Sequence, residues 1–418
     1  MSARHALIDL EPLRLSPVFR RLWAGQVLST FGGQLAFVAV MFQVWDQTAS
    51  AAWTGAVGLS QALPLILLGL FAGVAVDRVE RRRFYLITIS GQVVVSALMA
   101  SQLAIGPVPV GVLLGLVAAQ AAFAAAGGPV ARTVLPQLLP RELLAAGIAL
   151  NRIAFQGAML VGPAVGGLIV NAWGVGVCYL IDCLSFLAAL YGVLGLPTMR
   201  VEAVARPGLR GVRDGLAFVV STPVIRGALL TDLAATVLSM PVSLFPVINA
   251  ERFGNDPRTL GLFLSAIAVG GVVASVLSGS FTRLRRPGVV MLAGSTGWGI
   301  ALVLFAFSPL PWLALAFLAV AGAADTVAVV ARSTIVQLHT PNELLGRVTA
   351  AEQIVGQAGP DLGNLRGGLV AQATSGVAAL ASGAILCVAA VAAVALTTPG
   401  LRGAERQEVS GRTRTPPA

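Results

Sequence analysis

An all-α integral membrane protein with 12 transmembrane helices in two six-helix halves is the fold class that three observations predict. Twelve apolar stretches, each long enough to cross a bilayer, fill the 418-residue chain. Arginines cluster in alternate connections between them, and one polar segment separates six stretches from six. The mean hydropathy of +0.85, with only 11% charged residues, is more apolar surface than a water-soluble domain of this size can hide. A helix needs ~20 mostly apolar residues to cross a hydrocarbon core of ~30 Å. Lipid offers no hydrogen-bond partners to the backbone, so only helices or closed barrels span it. These runs are too long and continuous for barrel strands, which alternate over ~10 residues.

Each element follows in order. Residues 1–21 read as an N-terminal tail holding Arg4, Arg14, Arg20 and Arg21. No short apolar core with a small-residue cleavage site precedes the first span, so span 1 (22–45) is expected to direct the chain to the membrane itself. Span 2 (52–76) runs into a loop with Arg78, Arg81, Arg82 and Arg83. Spans 3 (84–105) and 4 (109–131) are joined by an uncharged connection, and Arg132 and Arg141 follow span 4. Span 5 (143–170) opens after Pro140, and span 6 (174–196) completes a bundle over 22–197. Residues 198–221, with Arg200, Arg206, Arg210 and Arg213, read as an interdomain loop.

The second bundle, 222–397, holds spans at 223–249, 258–281, 287–307, 311–336, 344–371 and 375–397. Arg283, Arg285 and Arg286 lie between spans 8 and 9, and Arg332 and Arg347 in the 10–11 region, near the facing ends of those two spans. Among the opposite connections only the one between spans 7 and 8 carries arginines, Arg252 and Arg258, beside Glu251 and Asp256. The positive-inside bias then predicts an even number of spans and both termini in the cytoplasm. The tail, 398–418, is rich in Arg, Thr, Gly and Pro and is expected to be disordered.

A repeat supports the division into halves. Pro140-Arg141-Glu142-Leu143-Leu144 is echoed by Pro341-Asn342-Glu343-Leu344-Leu345, Arg132 by Arg332, and Gly162-Pro163 by Gly359-Pro360, all at offsets near 200 and in the same order. Such a repeat suggests two bundles related by an axis along the membrane normal.

Several classes of function are disfavoured. The net charge of +10 comes from 28 arginines and no lysine, and their place in particular loops reflects topology rather than nucleic-acid binding. Cys178, Cys183 and Cys387 sit inside apolar runs, without metal-ligand spacing to His5 or His339. Glycine pairs such as Gly270-Gly271 lack the Gly-Lys-Ser/Thr of a nucleotide loop, and no nucleophile–base set can be placed. No enzyme, metal or cofactor is expected.

Charges inside spans are costly and are functional candidates. Asp232 is near the middle of span 7 and Asp325 near the middle of span 10; Glu352 lies one-third into span 11, and Asp182 in the outer half of span 6. Asp232, Glu352, Asp325 and Asp182, in that order, are the candidates for carrying a coupling proton. A satisfied ion pair or interhelical hydrogen bond is the alternative for each. Arg152 reads as a counter-ion for a transported molecule or as a partner of Asp182 or Asp232, and Asp361 as a group stabilising a local bend.

The loop after span 2 resembles the signature of the major facilitator superfamily, Gly-x-x-x-Asp-Arg-x-Gly-Arg-Arg. Gly73, Asp77, Arg78, Arg81 and Arg82 are in register and Glu80 replaces the second glycine. Gly162-Pro163-Ala164-Val165-Gly166-Gly167 resembles the superfamily's antiporter segment. Pro129-x-x-Arg132, Leu135-Pro136-Gln137-Leu138, Gln337-x-x-Thr340-Pro341 and Ser16-Pro17-Val18-Phe19-Arg20 fit the branch of the enterobactin exporter and of macrolide and drug efflux proteins. The resemblance covers about residues 15–397. It implies a gate at one end of the bundle built from Gly73, Asp77, Arg78, Arg81, Arg82 and Arg132, with Asp77 facing the N-terminus of span 11. Gly162, Pro163, Gly166 and Gly167 would seal the interface between halves without touching the transported molecule.

The resemblance further implies a cavity formed by spans 1, 4, 7 and 10, lined by Gln26, Ser29, Thr30, Gln34, Phe37, Gln120, Phe123, Asp232, Thr236, Ser239, Met240 and Asp325. Such a lining suits a bulky, partly aromatic solute. Implied is a monomeric, proton-coupled exporter of a siderophore or similar amphipathic molecule, lodged in the lipid of a bacterial cytoplasmic membrane. Multidrug or macrolide efflux is the alternative, and a membrane binding or sensor protein that has lost transport a further one.

Overall fold

The computed structural model describes residues 9–76, 80–198, 215, 217–281 and 286–403, with every side chain among them except those at 69–76, 132, 133, 141, 342, 343, 346, 350, 351, 353 and 354. Among the described residues are twelve long helical elements: α1 (Pro17–Thr48), α2 (Ala51–Val76), α3 (Arg81–Ala100), α4 (Val110–Leu138), α5 (Arg141–Trp173), α6 (Val175–Leu194), α7 (Pro223–Arg252), α8 (Pro257–Val276), α9 (Pro287–Ala306), α10 (Pro311–His339), α11 (Asn342–Ala373) and α12 (Gly376–Thr397). Counted over the described residues, eleven are long and apolar enough to cross a membrane. The exception, α11, carries the charged residues Arg347, Glu352, Asp361 and Arg366.

Caps explain where helices begin. α1 starts five residues before the predicted span because Ser16 Oγ accepts the Phe19 N–H at 3.2 Å and Pro17 fills the first helical position. Asp256 Oδ1 accepts the Arg258 N–H at 2.9 Å and caps α8 in the same way. α4 and α10 run further than predicted, to Leu138 and His339, and Arg332 lies about two turns inside the end of α10.

The N-terminal half packs α1 against α5 and α6, α3 against α4 and α6, and α2 against α4. The C-terminal half repeats this plan, with α9 central between α10 and α12 and α8 against α10. The halves meet through α2–α11 and α5–α8. The sequence repeat has a counterpart in packing. A Cβ at Gly162 on α5 would meet Gln34 Cβ of α1 at 2.6 Å, and a Cβ at Gly359 on α11 would meet Thr236 Oγ1 of α7 at 2.6 Å. Thus α5 lies on α1 as α11 lies on α7.

Helix α7 is not continuous. A straight segment, Pro223–Leu233, widens into a π-helical turn at Ala234–Leu238, breaks after Ser239 at Met240 and Pro241, and resumes as Val242–Leu244 and Phe245–Arg252. Pro241 and Pro246 lack backbone donors, which helps explain the break. α11 supplies the missing partners. Asn364 Oδ1 accepts the Ser243 N–H at 3.0 Å, Ser243 Oγ donates to the Asn364 carbonyl at 2.7 Å, and Arg366 Nη1 donates to the Leu238 carbonyl at 2.6 Å.

Both ends of the predicted tails and loop that are described are packed. Glu11–Leu15 forms a helical turn whose Leu13 joins Phe19, Leu139 and Leu150. Phe218 and Val219, from the interdomain segment, pack on Val336 and Val348. Pro399–Gly403, grouped with the disordered tail, is a helical turn that buries Leu401 against Gly288. The remainder of that tail lies outside the described residues.

Candidate functional site

Helix direction and close contacts define a sealed end. On the side away from where the chain enters α1 and leaves α12, Gly55 of α2 lies against Gly368 of α11, and Gly167 of α5 against Pro257 and Gly261 of α8. No side chain intervenes, so the backbones approach directly. Polar contacts reinforce the seal. Ser50 Oγ donates to Gln372 Oε1 at 2.9 Å. The Asn171 amide, with its oxygen toward the guanidinium, accepts from Arg258 Nε at 3.1 Å and Nη2 at 2.7 Å.

A cavity of about 680 Å³ lies on the terminus side of this seal. In every helix that contributes to both, the cavity residues come nearer the terminus side: Gln61 beyond Gly58 in α2, Met159 and Pro163 before Gly167 in α5, Leu264 and Ile267 beyond Gly261 in α8, and Asp361 and Asn364 before Gly368 in α11. The N-terminal half contributes a wall without charge, from Ser29, Thr30, Gly33, Gln34, Phe37, Gln61, Met159 and Pro163. The C-terminal half contributes Thr236, Met240, Trp298 and Asn364 together with Asp232, Asp325, Arg332 and Asp361.

Arg332 is the centre of the charged wall. It is 7% exposed, as is Asp232, while Glu352 is 8% exposed. Its Nη1 pairs with Asp232 Oδ1, and its Nε donates to Glu352 Oε1 at 3.3 Å. Ser333 Oγ donates to the same Glu352 oxygen at 3.0 Å. The cluster therefore ties α7, α10 and α11 together beside the widened turn of α7. Trp298 of α9 donates from Nε1 to Ser239 Oγ at 2.9 Å, at the break itself. One guanidinium serves two carboxylates, and Asp325 stands next to them without a hydrogen-bond partner among the described residues. Removing one member of a buried ion cluster leaves an uncompensated charge, which is strongly destabilising.

The structure gathers some of the sequence candidates and separates others. Asp232, Glu352 and Asp325 come together, and Thr30, Gln34, Phe37, Thr236 and Met240 line the cavity. Asp182 is elsewhere: it is 3% exposed between α3 and α6, where Ser96 Oγ bonds its Oδ2. Gln26 turns away to Tyr85, donating from Nε2 to Oη at 3.2 Å. Phe123 packs its ring over Gly91, and α4 contributes no residue to the cavity lining, so Gln120 and Phe123 fall outside it. Arg152 is exposed and pairs with neither Asp182 nor Asp232; Arg332 takes the place expected for it.

Of the antiporter-like segment, Gly162 and Gly166 receive α1, with a Cβ at Gly166 set to meet Leu35 Cα at 3.2 Å. Gly167 receives α8. Pro163 is itself a cavity residue, contrary to the expectation that this segment stays clear of the interior. Asp77 and Arg78 of the gate lie outside the described residues, as do the side chains of Gly73 and Arg132. Arg81 opens α3, and Arg82 Nη2 donates to the Leu194 carbonyl at 3.0 Å, joining α3 to the end of α6.

Arg332 was missed because, near the end of span 10, it was grouped with the arginines that mark topology and not with the charges inside spans. The available signal was the offset from Arg132 combined with its place before the charged stretch of α11. Gln61, Met159, Trp298 and Asn364 carry no sequence motif that singles them out.

Comparison with known proteins places these features in context. A sequence model of the family described as transmembrane secretion effector matches residues 8–417. The enterobactin exporter EntS of Shigella boydii serotype 18 is 28% identical over 389 residues, which cover 92% of this chain and 92% of that protein. EntS of Escherichia coli O157:H7 aligns with the same identity and coverage. Among solved structures, the nucleoside transporter NupG superposes with a TM-score of 0.71 at 14% identity, covering 92% of this chain and 98% of that one. A bacterial homologue of the iron transporter ferroportin, in an inward-facing state, gives 0.70 at 14% identity with the same coverages. These structural likenesses show the fold.

Proposed function

The chain belongs to the transmembrane secretion effector family of the major facilitator superfamily, and on that premise we propose that it exports a siderophore or similar amphipathic organic molecule across a bacterial cytoplasmic membrane. The observation that carries this reading is the 680 Å³ cavity between the halves, sealed at one end by backbone contacts. That volume falls within the range of about 300–1,000 Å³ typical of small-molecule sites. The likeness to the enterobactin exporter over 92% of both chains supports the cargo class.

In this reading both termini are cytoplasmic and the seal faces the outside, as the arginine distribution supports. The cavity then receives cargo from the cytoplasm. Transport proceeds by breaking the glycine seal and closing the opposite end, where Gly73, Asp77, Arg78, Arg81, Arg82 and Arg132 form the second gate. Protons drive the cycle through the cluster around Arg332, with Asp232 first among the carriers and Glu352 and Asp325 beside it. Asp182, held by Ser96 away from the cavity, serves packing. The protein works as a monomer, because cavity, seal and charge cluster are all contained in one chain.

Multidrug efflux is the second reading, favoured by the apolar cavity residues Phe37, Met159, Met240, Leu264 and Ile267. Uptake into inverted vesicles separates the two, comparing a catecholate siderophore with a cationic drug, with and without an imposed proton gradient. Uptake of several drugs but no siderophore would favour the multidrug reading. Flux insensitive to collapse of the gradient would remove proton coupling.

A further inference from the structure

A second, much smaller cavity opens beside the charge cluster. Its volume is about 10 Å³, the room of a single water-sized group, and it lies between α7, α9 and α10. It shares Asp232, Trp298, Asp325 and Arg332 with the large cavity and adds Ser295 and Thr231. It is therefore an annex of the transport chamber.

Three acceptors in this annex have no partner among the described residues. Asp232, which is 7% exposed, pairs with Arg332 through Oδ1 only, and its buried Oδ2 has no hydrogen bond. Ser295 is 3% exposed and its hydroxyl makes no hydrogen bond. The Asp325 carboxylate makes none either. The positive charge nearby is already shared, since Arg332 binds both Asp232 and Glu352. Three carboxylates against one guanidinium leave two negative charges unmatched when all are ionised. Unmatched charge inside a membrane protein calls for a counter-charge.

We propose that the annex is a subsite for a primary ammonium group, so that the exported molecule carries a protonated primary amine whose head enters the annex while its body fills the large cavity. An –NH₃⁺ group has three donors and no acceptor, and the annex offers Asp232 Oδ2, Asp325 and Ser295 Oγ. Its size admits the nitrogen head and excludes a quaternary ammonium, which has no N–H to donate. The chargeless opposite wall, with Gln34, Gln61 and Thr30, then meets the neutral polar groups of the cargo. This inference rests on the export reading and specifies the cargo class within it.

The test begins with the full-length purified protein and small ions. Its unfolding midpoint is measured in methylammonium, tetramethylammonium and sodium chloride at equal ionic strength. A saturable rise with methylammonium alone is expected, and its loss in Asp325→Asn. In Ser295→Ala, which removes an acceptor but no charge, the half-saturating concentration should rise about tenfold, as for one hydrogen bond to a charged group. An equal rise with sodium would reassign the annex to an alkali cation and overturn the proposal. No difference between methylammonium and tetramethylammonium would leave only water or protons there and overturn it as well. Inverted vesicles then receive an iron-free linear trihydroxamate with a terminal primary amine, and its N-acetyl derivative. At least tenfold faster uptake of the amine is expected, and equal uptake would overturn the assignment of cargo. If neither enters while the methylammonium shift persists, the export reading for siderophores fails and the subsite stands.

Discussion

Arg332 on α10 holds Asp232 on α7 one residue before the straight part of that helix ends. The pair is nine-tenths buried on both sides and is shared with Glu352 on α11. Three helices of one half thus meet at a single guanidinium, next to the π-helical turn at Ala234–Leu238.

Arg332→Gln should therefore destabilise the protein by about 3–5 kcal/mol, because two carboxylates lose their counter-charge at once. Adding Asp232→Asn to that variant should recover part of the loss, since one orphaned charge is removed. Unfolding midpoints of the two single variants and the double variant measure this coupling. Additive losses would show that the ion pair contributes nothing specific.

Asp232→Asn alone keeps a side chain of the same shape and should abolish gradient-driven export, while substrate binding weakens but stays measurable because Asp325 and Ser295 remain in the annex. Binding, folded yield and proton-driven flux are to be taken on one preparation. Normal flux with a normal pH profile would exclude Asp232 as carrier and leave Glu352 as the next candidate.

The seal makes a prediction about conformation. Asn171→Leu removes both hydrogen bonds to Arg258 at the sealed contact of α5 and α8. A loss of about 1.4 kcal/mol would shift the ratio of sealed to unsealed states tenfold. A single cysteine placed at Phe37, in a background without Cys178, Cys183 and Cys387, should become more reactive toward a membrane-impermeant thiol reagent added from outside. Unchanged reactivity would show that the glycine contacts alone hold the seal.

The break in α7 depends on α11. Asn364→Leu leaves the buried Ser243 N–H without its acceptor, which costs about 1–3 kcal/mol. Hydrogen exchange at residues 239–244 should accelerate in this variant while α9 stays protected. Uniform acceleration through the bundle would point to general unfolding instead.

Topology is tested by labelling in intact cells. Cysteines introduced beside Arg206 or in the C-terminal tail should resist impermeant reagents, given the arginine bias. External labelling at either position would reverse the assigned orientation.

The number of helices and their division into halves were legible because hydropathy and loop charge act over whole segments. The repeat located α5 and α11 as equivalent elements, and Gly162 and Gly359 do occupy equivalent contacts. Asp232, Asp325 and Glu352 stood out as charges in apolar runs, whereas the choice of Arg332 over Arg152 as their partner depends on which helix faces which. A helix of 3.6 residues per turn lets any residue face any direction, so neighbours across helices leave no local trace. The break in α7 had a trace in Pro241 and Pro246, but two prolines alone do not fix where a helix widens. Gln120 and Phe123 of α4 were assigned by the span they occupy, but α4 does not reach the cavity and Phe123 packs on Gly91 of α3 instead.

The contacts that close the sealed end consist mostly of bare backbone, as between Gly55 and Gly368 and between Gly167 and Gly261. A surface without protruding side chains has no teeth to disengage. The two halves can roll apart without dragging rotamers through one another, and the resistance to that motion is spread over weak contacts of about 0.5–1 kcal/mol each. Bulk added at these positions would act like grit in a bearing. It would slow the cycle even where it strengthened neither the sealed nor the opened form.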